Sequence, residues 1–253
     1  MEILFLGTAG AMPTVLRDNT ALAVRIEGVI LLIDTPGCIV QKMMKVGWNP
    51  VDIRYVIITH IHPDHAYGLP SLIHVLWMMG KKGGLDLFLP ESFLVKMQSV
   101  IDAYGLHSLR DFSLKFSPVS LAGSTVIKGE NFEVNTFPVR HSIPNVGVKV
   151  VWDDKKVVYT SDTELCESVV ENARNADILI HESNESLYLT GGQRGHSTAK
   201  DAGRVAHWSG AKKLFLVHIG PALTDKVEDL IREAGEEFEG EIIVPNDLDV
   251  VVV

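Results

Sequence analysis

The stretch that most constrains this chain is Thr59-His60-Ile61-His62-Pro63-Asp64-His65. It directly follows Tyr55-Val56-Ile57-Ile58, an apolar and β-branched run that is typical of a buried strand. Pro63 cannot continue a central strand, because proline has no backbone N–H to donate. Three imidazoles and a carboxylate are therefore concentrated on a turn at a strand end. This set of side chains favours zinc and similar ions.

The spacing within this stretch indicates two binding points rather than one. In an extended His60-Ile61-His62 segment, both rings lie on one side, because side chains alternate along a strand. The Asp64-His65 pair, displaced by the proline turn, can then face a second point nearby. We interpret the stretch as half of a two-metal site, with a histidine-rich surface turn as the weaker alternative.

Composition indicates an ordinary globular protein. Hydrophobic residues make up 46% of the 253 residues, and no linker rich in Pro, Gly or Ser interrupts the chain. We therefore expect a single domain spanning residues 1–253. The formal net charge of -9 argues against broad affinity for nucleic acid, so a DNA duplex is not an expected partner.

The cysteines and the first residues indicate the cellular compartment in which we expect the protein. Only Cys38 and Cys166 occur, and neither belongs to a CxxC motif, so a disulfide framework is not indicated. We expect both cysteines to be buried apolar residues. Gly7 interrupts the first apolar run and no cationic region precedes it, which argues against a signal peptide. No run approaches the roughly 18 apolar residues of a membrane helix. We expect a cytoplasmic protein without a membrane partner.

Further polar candidates follow apolar strand patterns along the rest of the chain. They are Asp34, His141, Asp162, His181, Glu182 and His218. Strand ends on one edge of a sheet converge in space although they are distant in sequence. For Asp34 the residues leave two roles open, namely support of the histidine turn and capping of the following helix.

The order of the elements predicts layered sheets covered by helices. Strand patterns dominate the first half, and strands alternate with helices in the last third. We predict a hairpin from residues 146–151 and 156–159, and a helix over residues 198–208 with Ser197 or Thr198 as its N-cap. Residues 71–79 predict a buried helix in which Met78 and Met79 are packing residues.

With these motifs the chain resembles hydrolases of the metallo-β-lactamase superfamily, whose hallmark HxHxDH stands here at His60 to His65. Other segments resemble the ribonuclease Z branch and its small phosphodiesterase relatives, in the family's order and over nearly the whole chain. They are Phe5-Leu6-Gly7-Thr8, Pro13-Thr14, Arg17-Asp18-Asn19, Gly68-Leu69-Pro70, His141-Ser142-Ile143-Pro144, Ser161-Asp162-Thr163, His181-Glu182, Gly195-His196-Ser197-Thr198 and His218. The resemblance implies an α/β (α+β layered) fold, a four-layer αββα sandwich of two mixed β-sheets flanked by helices.

The resemblance also implies the roles of the site residues. His60, His62 and His141 would hold one divalent metal ion, whereas Asp64, His65 and His218 would hold the other. Asp162 would bridge the two ions, which we expect to be Zn²⁺, although this ligand set also accepts Mn²⁺ or Fe.

Catalytic roles follow from the same resemblance. His196 would contact the phosphate and assist the leaving oxygen, with Glu182 orienting its ring, and Asp64 counts as catalytic as well as a ligand. His181 is expected to support the site from outside the ligand set.

Two departures restrict the substrate. Asp34-Thr35-Pro36-Gly37-Cys38 replaces the glycine-rich turn usual in ribonuclease Z. Only the twenty residues 142–161 separate His141 from Asp162, where many of these enzymes carry a long arm that grips transfer RNA. We expect a phosphodiesterase acting on RNA ends, cyclic nucleotides or small phosphodiesters, with transfer RNA less favoured. Substrate specificity is expected in the loops after Gly68 and over residues 185–195, and a homodimer is a further expectation from the family.

Other enzyme classes on this fold stay open. A metal-dependent oxidoreductase is one, although its di-iron branch replaces the second histidine of HxHxDH by a carboxylate and this chain has His62. A thioester- or lactone-type hydrolase is another. A β-lactamase is disfavoured because those enzymes commonly place a cysteine where Asp162 stands. A metal-stabilised scaffold without catalysis is the remaining class.

Overall fold

Residues 1–187 and 195–253 are described by the structure, a computed structural model in which they form two seven-stranded β-sheets. The first sheet has the order β14-β1-β2-β3-β4-β5-β6, and the second has the order β13-β12-β11-β10-β9-β8-β7. The strands of the first sheet are β1 (Glu2–Gly7), β2 (Ala21–Ile26), β3 (Val29–Ile33), β4 (Ile53–Ile57), β5 (Leu85–Pro90), β6 (Leu114–Val119) and β14 (Val250–Val252). Those of the second are β7 (Ser124–Lys128), β8 (Phe132–Pro138), β9 (Val146–Trp152), β10 (Lys155–Tyr159), β11 (Ile178–Glu182), β12 (Lys213–Val217) and β13 (Glu241–Ile243).

Helices cover the outer face of each sheet. They are α1 (Ile39–Lys45), α2 (Pro63–Ala66), α3 (Leu69–Met78), α4 (Leu94–Ala103), α5 (Glu167–Asn172), α6 (Ala199–Ser209) and α7 (Val227–Gly235). Helices α1, α3 and α4 pack on the first sheet, and α5, α6 and α7 pack on the second. This order of layers confirms the predicted αββα sandwich.

Alternation of side chains along the strands builds the layers. In β10, Val157 and Tyr159 face the core between the sheets, whereas Val158 faces the helices outside. In β1, Ile3 and Phe5 face the inter-sheet core, where Phe5 stacks on Phe215 at 5.4 Å between ring centroids. Because both faces are buried, these strands read as continuous apolar runs rather than as alternating ones.

The directions of the strands bring the polar candidate residues to one edge of the sandwich. Strands β3, β4, β5 and β6 are parallel in the first sheet, as are β10, β11, β12 and β13 in the second. Strand β9 is antiparallel to both β8 and β10, so β8 runs in the direction of β10. The ends of β3, β4, β8, β10, β11 and β12 therefore carry the polar candidates singled out in the sequence.

Two sequence-based predictions of burial were wrong. Met78 and Met79 are 68% and 39% exposed, because only one face of α3 packs on the sheet although most of its residues are apolar. Cys38 is exposed and Cys166 is half-buried, so neither is a core residue. The predicted hairpin is present as β9 and β10, and the predicted helix over residues 198–208 is α6.

Within the described ranges, 1–187 and 195–253, we find no helix with the length and apolar character that crossing a membrane requires.

Thr198 is the N-cap of α6, and its replacement should reduce stability. Its side chain accepts from the Asp201 backbone N–H, and the Asp201 carboxylate accepts in return from the Thr198 N–H at 3.2 Å, which makes a complete capping box. We expect Thr198→Ala to lower the free energy of unfolding by about 1 kcal/mol, measured by chemical denaturation. The control Ser71→Ala, on an exposed helical position of α3, should change it by less than about 0.5 kcal/mol. Equal stability of the two variants would contradict a capping role.

Candidate metal centre

The structure brings all seven predicted metal ligands together at the edge where the strands end. The ligand atoms fall into overlapping groups in which every atom lies within 4.8 Å of the others. One group is His60, His62, His141 and Asp162; a second is Asp64, His65 and His218; a third joins Asp162 and His218 to His196. Each group combines at least one imidazole with a carboxylate.

Three imidazole nitrogens converge in the first group. His60 Nε2 lies 3.0 Å from His62 Nδ1, and His141 Nε2 lies 3.2 Å from the same His62 atom. Tetrahedral coordination at about 2.0–2.1 Å would place ligand nitrogens roughly 3.3 Å apart. The spacing therefore suits three nitrogens directed at one cation.

The second group has the same character. His65 Nε2 lies 3.2 Å from Asp64 Oδ2, and His218 Nε2 lies 3.5 Å from that oxygen. Asp64 and His65 belong to the short helix α2, which begins at Pro63, so the proline turn does displace this pair from the His60-Ile61-His62 segment. His60 and His62 lie outside any strand, yet their rings still form a T-shaped pair with 4.7 Å between ring centroids.

Asp162 lies between the two groups. Its Oδ2 is 3.7 Å from His60 Nε2 and 3.5 Å from His65 Nε2, whereas its Oδ1 is 3.3 Å from His218 Nε2. A carboxylate in this position can contact cations on both sides. The geometry thus suits the bridging role that the resemblance implies.

Among the described residues, several buried atoms at this site have no hydrogen-bond partner. They include His65 Nε2, Asp162 Oδ1 and His218 Nε2. Buried polar atoms are normally paired, and each one left unpaired costs roughly 1–3 kcal/mol. A bound cation would satisfy these atoms, so the donor set fits the divalent metals that the family implies.

Electrostatics favours cations in this space. Burial alone would oppose ionisation of Asp64, but the neighbouring His218 and His65 rings lower its pKa. Burial likewise opposes ionisation of Asp162, whose pKa is held well below its usual value by the neighbouring His218 and His65. Burial lowers the pKa of His60 well below its ordinary range, and a neutral imidazole is the form that binds metals. His65 differs from His60, because the charges of Asp162 and Asp34 outweigh its burial and raise its pKa well above the ordinary value. A cation bound at His65 Nε2 would therefore displace a proton from that ring.

Asp34 supports two of the imidazoles on their Nδ1 sides. Of its two predicted roles, this is support of the histidine turn rather than capping of the following helix. Its Oδ2 accepts from His65 Nδ1 at 2.8 Å, and its Oδ1 accepts from the Thr59 backbone N–H at 2.8 Å. The Thr59 hydroxyl, which donates to Asp34, lies 3.1 Å from His60 Nδ1, and its oxygen can accept a hydrogen bond from that nitrogen. These contacts leave the Nε2 atoms of His60 and His65 free for a metal. Helix α1 has no side-chain cap, and Cys38 stands at its N-cap position.

Left-handed backbone conformations occur at the ends of three strands. Asp34 has φ 64°, Ser161 has φ 54° and His218 has φ 56°. Such conformations in residues other than glycine cost of the order of 1–3 kcal/mol each and persist where surrounding contacts fix them. At these positions the backbone turns abruptly, and a buried polar side chain at or beside each bend reaches the site.

His196 faces the ligand cluster and is paired with Glu182, as the resemblance implies. His196 Nδ1 lies 2.9 Å from Glu182 Oε1, which also accepts from the Thr163 backbone N–H at 2.7 Å. The ring of His196 stacks on His218 at 5.4 Å between centroids and meets His141 edge-on at 5.1 Å. Burial would lower the pKa of His196, but the hydrogen bond and charge of Glu182 outweigh it and raise that pKa to about 9.

His181 faces away from the metal ligands, in agreement with a role outside the ligand set. It is fully buried on β11, and its Nδ1 donates to the Glu182 carbonyl at 2.8 Å. Alternation along the strand places His181 and Glu182 on opposite faces of the sheet. Only Glu182 can therefore reach His196.

Some contacts at the site were not anticipated from the sequence. Glu164 accepts from the Gly195 backbone N–H at 2.8 Å, and Gly195 accepts from His141 Nδ1 at 2.6 Å. Ser197 donates its hydroxyl to the Thr163 carbonyl at 2.5 Å. No motif marks Glu164, because its partner is 31 residues away along the chain.

Most of the expected specificity loop over residues 185–195 lies outside the described residues, since 188–194 are not described.

Comparisons with known proteins agree with this geometry. Ribonuclease Z of Methanothermobacter thermautotrophicus is 29% identical in an alignment that covers 98% of this chain and 95% of that protein. The metallo-β-lactamase fold protein YhfI from Bacillus subtilis has a similar structure, with a TM-score of 0.85, 21% identity, and coverage of 99% of this chain and 98% of that one. The short form of human tRNase Z has a TM-score of 0.83 at 24% identity, covering 100% and 99% of the two chains.

These similarities confirm the predicted superfamily resemblance, the αββα fold and the predicted class of metal-dependent hydrolase. A narrower family, described as Anti-Pycsar protein Apyc1, matches residues 1–230. That range contains every predicted metal ligand together with His196 and Glu182. The chain therefore belongs to the Anti-Pycsar protein Apyc1 family.

Proposed function

We propose that this protein is a dinuclear metal-dependent phosphodiesterase that hydrolyses small phosphodiesters, such as cyclic nucleotides. The observation that carries the proposal is the His196–Glu182 pair, in which His196 lies beside Asp162 and His218, one member from each of the two groups of metal-ligating atoms. A metal-stabilised scaffold would have no use for such a histidine beside the ligand cluster.

The metal proposal is a pair of divalent ions, with Zn²⁺ favoured by the imidazole-rich ligands. His60, His62 and His141 would hold one ion, Asp64, His65 and His218 the other, and Asp162 would contact both. When bound, the two ions would supply Lewis acidity toward the phosphate and lower the pKa of water toward neutrality. Their combined charge would also neutralise part of the negative charge that develops on the phosphate.

The protein's own contribution at the leaving oxygen comes from His196. Its side chain is 18% exposed, so a substrate can reach the ring although Glu182 behind it is fully buried. With a pKa of about 9, His196 is protonated at neutral pH and can donate a proton to the departing oxygen. Glu182 fixes the Nδ1 side of the ring and leaves Nε2 as the donating atom.

The substrate proposal depends on size and charge. The segment between His141 and Asp162 is occupied by the compact hairpin β9–β10, so it provides no long arm for gripping a folded RNA. The net charge of -9 disfavours binding of an extended polyanion. An RNA 3′ end is the second candidate, favoured by the full-length similarity to a protein named Ribonuclease Z.

Two further elements of the proposal are a homodimer and a cytoplasmic location. The homodimer is supported by the resemblance to the ribonuclease Z branch, and the cytoplasmic location by the presence of only two cysteines, neither in a CxxC motif. Neither changes the chemistry assigned to the site, which is complete within one chain.

A substrate panel tests the proposed activity. With Zn²⁺ and with Mn²⁺ supplied separately, we expect cleavage of bis(p-nitrophenyl) phosphate, measured by absorbance. We also expect cleavage of 2′,3′- or 3′,5′-cyclic nucleotides, measured by chromatography of the products. We expect the kcat/KM for a transfer-RNA precursor to be at least about 100-fold lower, because no arm holds the folded RNA. A higher kcat/KM for the precursor would establish the RNA-end alternative. Failure to cleave any of these diesters in the metal-loaded protein would refute the phosphodiesterase.

His196 and Glu182 give a pH-dependent prediction. Because protonated His196 is the acid, kcat should fall as pH rises through about 9, the pKa that Glu182 holds above the ordinary value. His196→Ala should lower kcat by about 10²–10⁴-fold and abolish this alkaline limb, with metal content unchanged. Glu182→Gln should move the limb to lower pH, because the raising charge is removed. An unchanged profile in His196→Ala would exclude the proton-donor role.

Asp34 gives a prediction for metal affinity. Asn suits the left-handed backbone at this position but replaces one carboxylate oxygen by an NH₂ group, which disturbs the contacts to Thr59 and His65. We expect Asp34→Asn to weaken Zn²⁺ binding by about 10–100-fold, measured by competition with a chelating dye. Asp153→Asn, at the exposed turn between β9 and β10, serves as the control for a lost carboxylate. Equal Zn²⁺ affinity of the two variants would rule out the supporting role.

A further inference from the structure

A single residue, Gly195, connects a predicted metal ligand to a glutamate outside the ligand set. The Gly195 carbonyl accepts from His141 Nδ1 at 2.6 Å, and the Gly195 N–H donates to Glu164 Oε1 at 2.8 Å. Since a carbonyl can only accept, His141 must carry its proton on Nδ1. Its Nε2 is then left with a lone pair for the metal.

Gly195 is required at this position for two physical reasons. Its φ of +87° lies in the left-handed region that side chains rarely adopt. A Cβ added there would also approach His141 Nδ1 to 3.2 Å and the Ser142 backbone nitrogen to 3.3 Å. The backbone at residue 195 therefore approaches the ring of His141 so closely that only glycine fits there.

Glu164 is held firmly enough to act as a fixed acceptor. Its backbone N–H donates to the Arg140 carbonyl at 2.8 Å, and residues 140 and 164 form an antiparallel bridge. The Arg140 N–H in turn donates to Thr163 Oγ1 at 3.1 Å. Glu164 and His141 therefore belong to one short hydrogen-bonded ladder, and the carboxylate is aimed at Gly195 from that ladder.

The same segment contacts the chain at two positions beyond Gly195. The Thr163 backbone N–H donates to Glu182, the partner of His196, and the Thr163 carbonyl accepts from Ser197. Residues 163–164, which directly follow the predicted bridging ligand Asp162, thus contact residues 195–197 directly at Gly195 and Ser197, and reach His196 indirectly through Glu182.

We propose that Glu164 is a positioning residue, which holds Gly195 so that His141 is fixed for metal binding and His196 is fixed beside the phosphate. Glu164 is not one of the predicted metal ligands. It acts through the Gly195 N–H on the orientation of one ligand and, through the same short segment, on the acid. The catalytic part of this inference rests on the proposed phosphodiesterase, whereas the metal-binding part does not.

Titration with Co²⁺ tests the metal-binding part without any substrate. The visible absorption of bound Co²⁺ reports each ligand environment as the ion is added to metal-free protein. We expect Glu164→Ala to weaken one of two Co²⁺ equivalents by about tenfold, the lower end of the usual effect of losing support behind a histidine ligand. Glu164→Gln, which keeps an oxygen acceptor for the Gly195 N–H, should stay within about threefold of the parent. The control Glu167→Ala removes the same charge from an exposed position on α5 and should match the parent.

Kinetics on bis(p-nitrophenyl) phosphate tests the catalytic part. At saturating metal, Glu164→Ala should lower kcat by about tenfold with KM within about threefold, because displacement of His141 and His196 affects the reacting geometry. Glu164→Gln should restore kcat. Gly195→Ala should reproduce the losses of Glu164→Ala, so it serves as the test if Glu164→Ala does not fold.

The proposal is overturned if Glu164→Ala matches Glu167→Ala in Co²⁺ affinity and kcat. It is also overturned if Glu164→Gln loses as much as Glu164→Ala, since charge rather than the hydrogen bond would then matter. If the parent binds two Co²⁺ ions but cleaves no phosphodiester, the proposed function fails. In that case the Co²⁺ titration still decides whether Glu164 positions His141.

Discussion

Burial of carboxylates among imidazoles is the interaction on which the rest of this structure depends. Asp34, Asp64 and Asp162 are each at most 8% exposed at the end where the two sheets meet. Removing a carboxylate from water costs several kcal/mol, and opposite charge with well-placed hydrogen bonds must compensate that cost. His65 lies within 3.5 Å of all three carboxylates, so a single imidazole contacts all of them. One imidazole can compensate only part of their negative charge, and divalent cations would compensate the rest.

Strand direction is what allows this concentration of charge. The ligands come from loops after β4, β8, β10 and β12, which belong to two different sheets. Because these strands end at the same edge, long separations in sequence become distances of 3–4 Å. The inter-sheet core below the site is built from apolar side chains together with Tyr159, whose hydroxyl is buried without a partner among the described residues. The edge is therefore the place where buried polar groups can satisfy one another.

The part of the site that could be predicted from sequence is the part with local signals. His60 to His65 and the residues after apolar strands were identified because their chemistry and position are both visible in the chain. Asp34 stayed undecided, since capping a helix and supporting a histidine require the same residue at the same strand end. Met78 and Met79 were misjudged for a related reason. A helix that is apolar nearly all round does not reveal which face packs on the sheet.

Glu164 was missed because a hydrogen bond to a backbone N–H leaves no trace in side-chain patterns. Gly195 was visible only as part of the glycine-rich approach to His196, whereas its left-handed backbone and its contact with His141 depend on the folded chain. This contact differs from that of Asp34, which supports His65 directly and His60 through Thr59 at the ends of β3 and β4. His141 is supported from the segment that carries His196. The ligands are therefore fixed in two ways: His60 and His65 by residues at the strand ends, and His141 by residues 195–197 being in place.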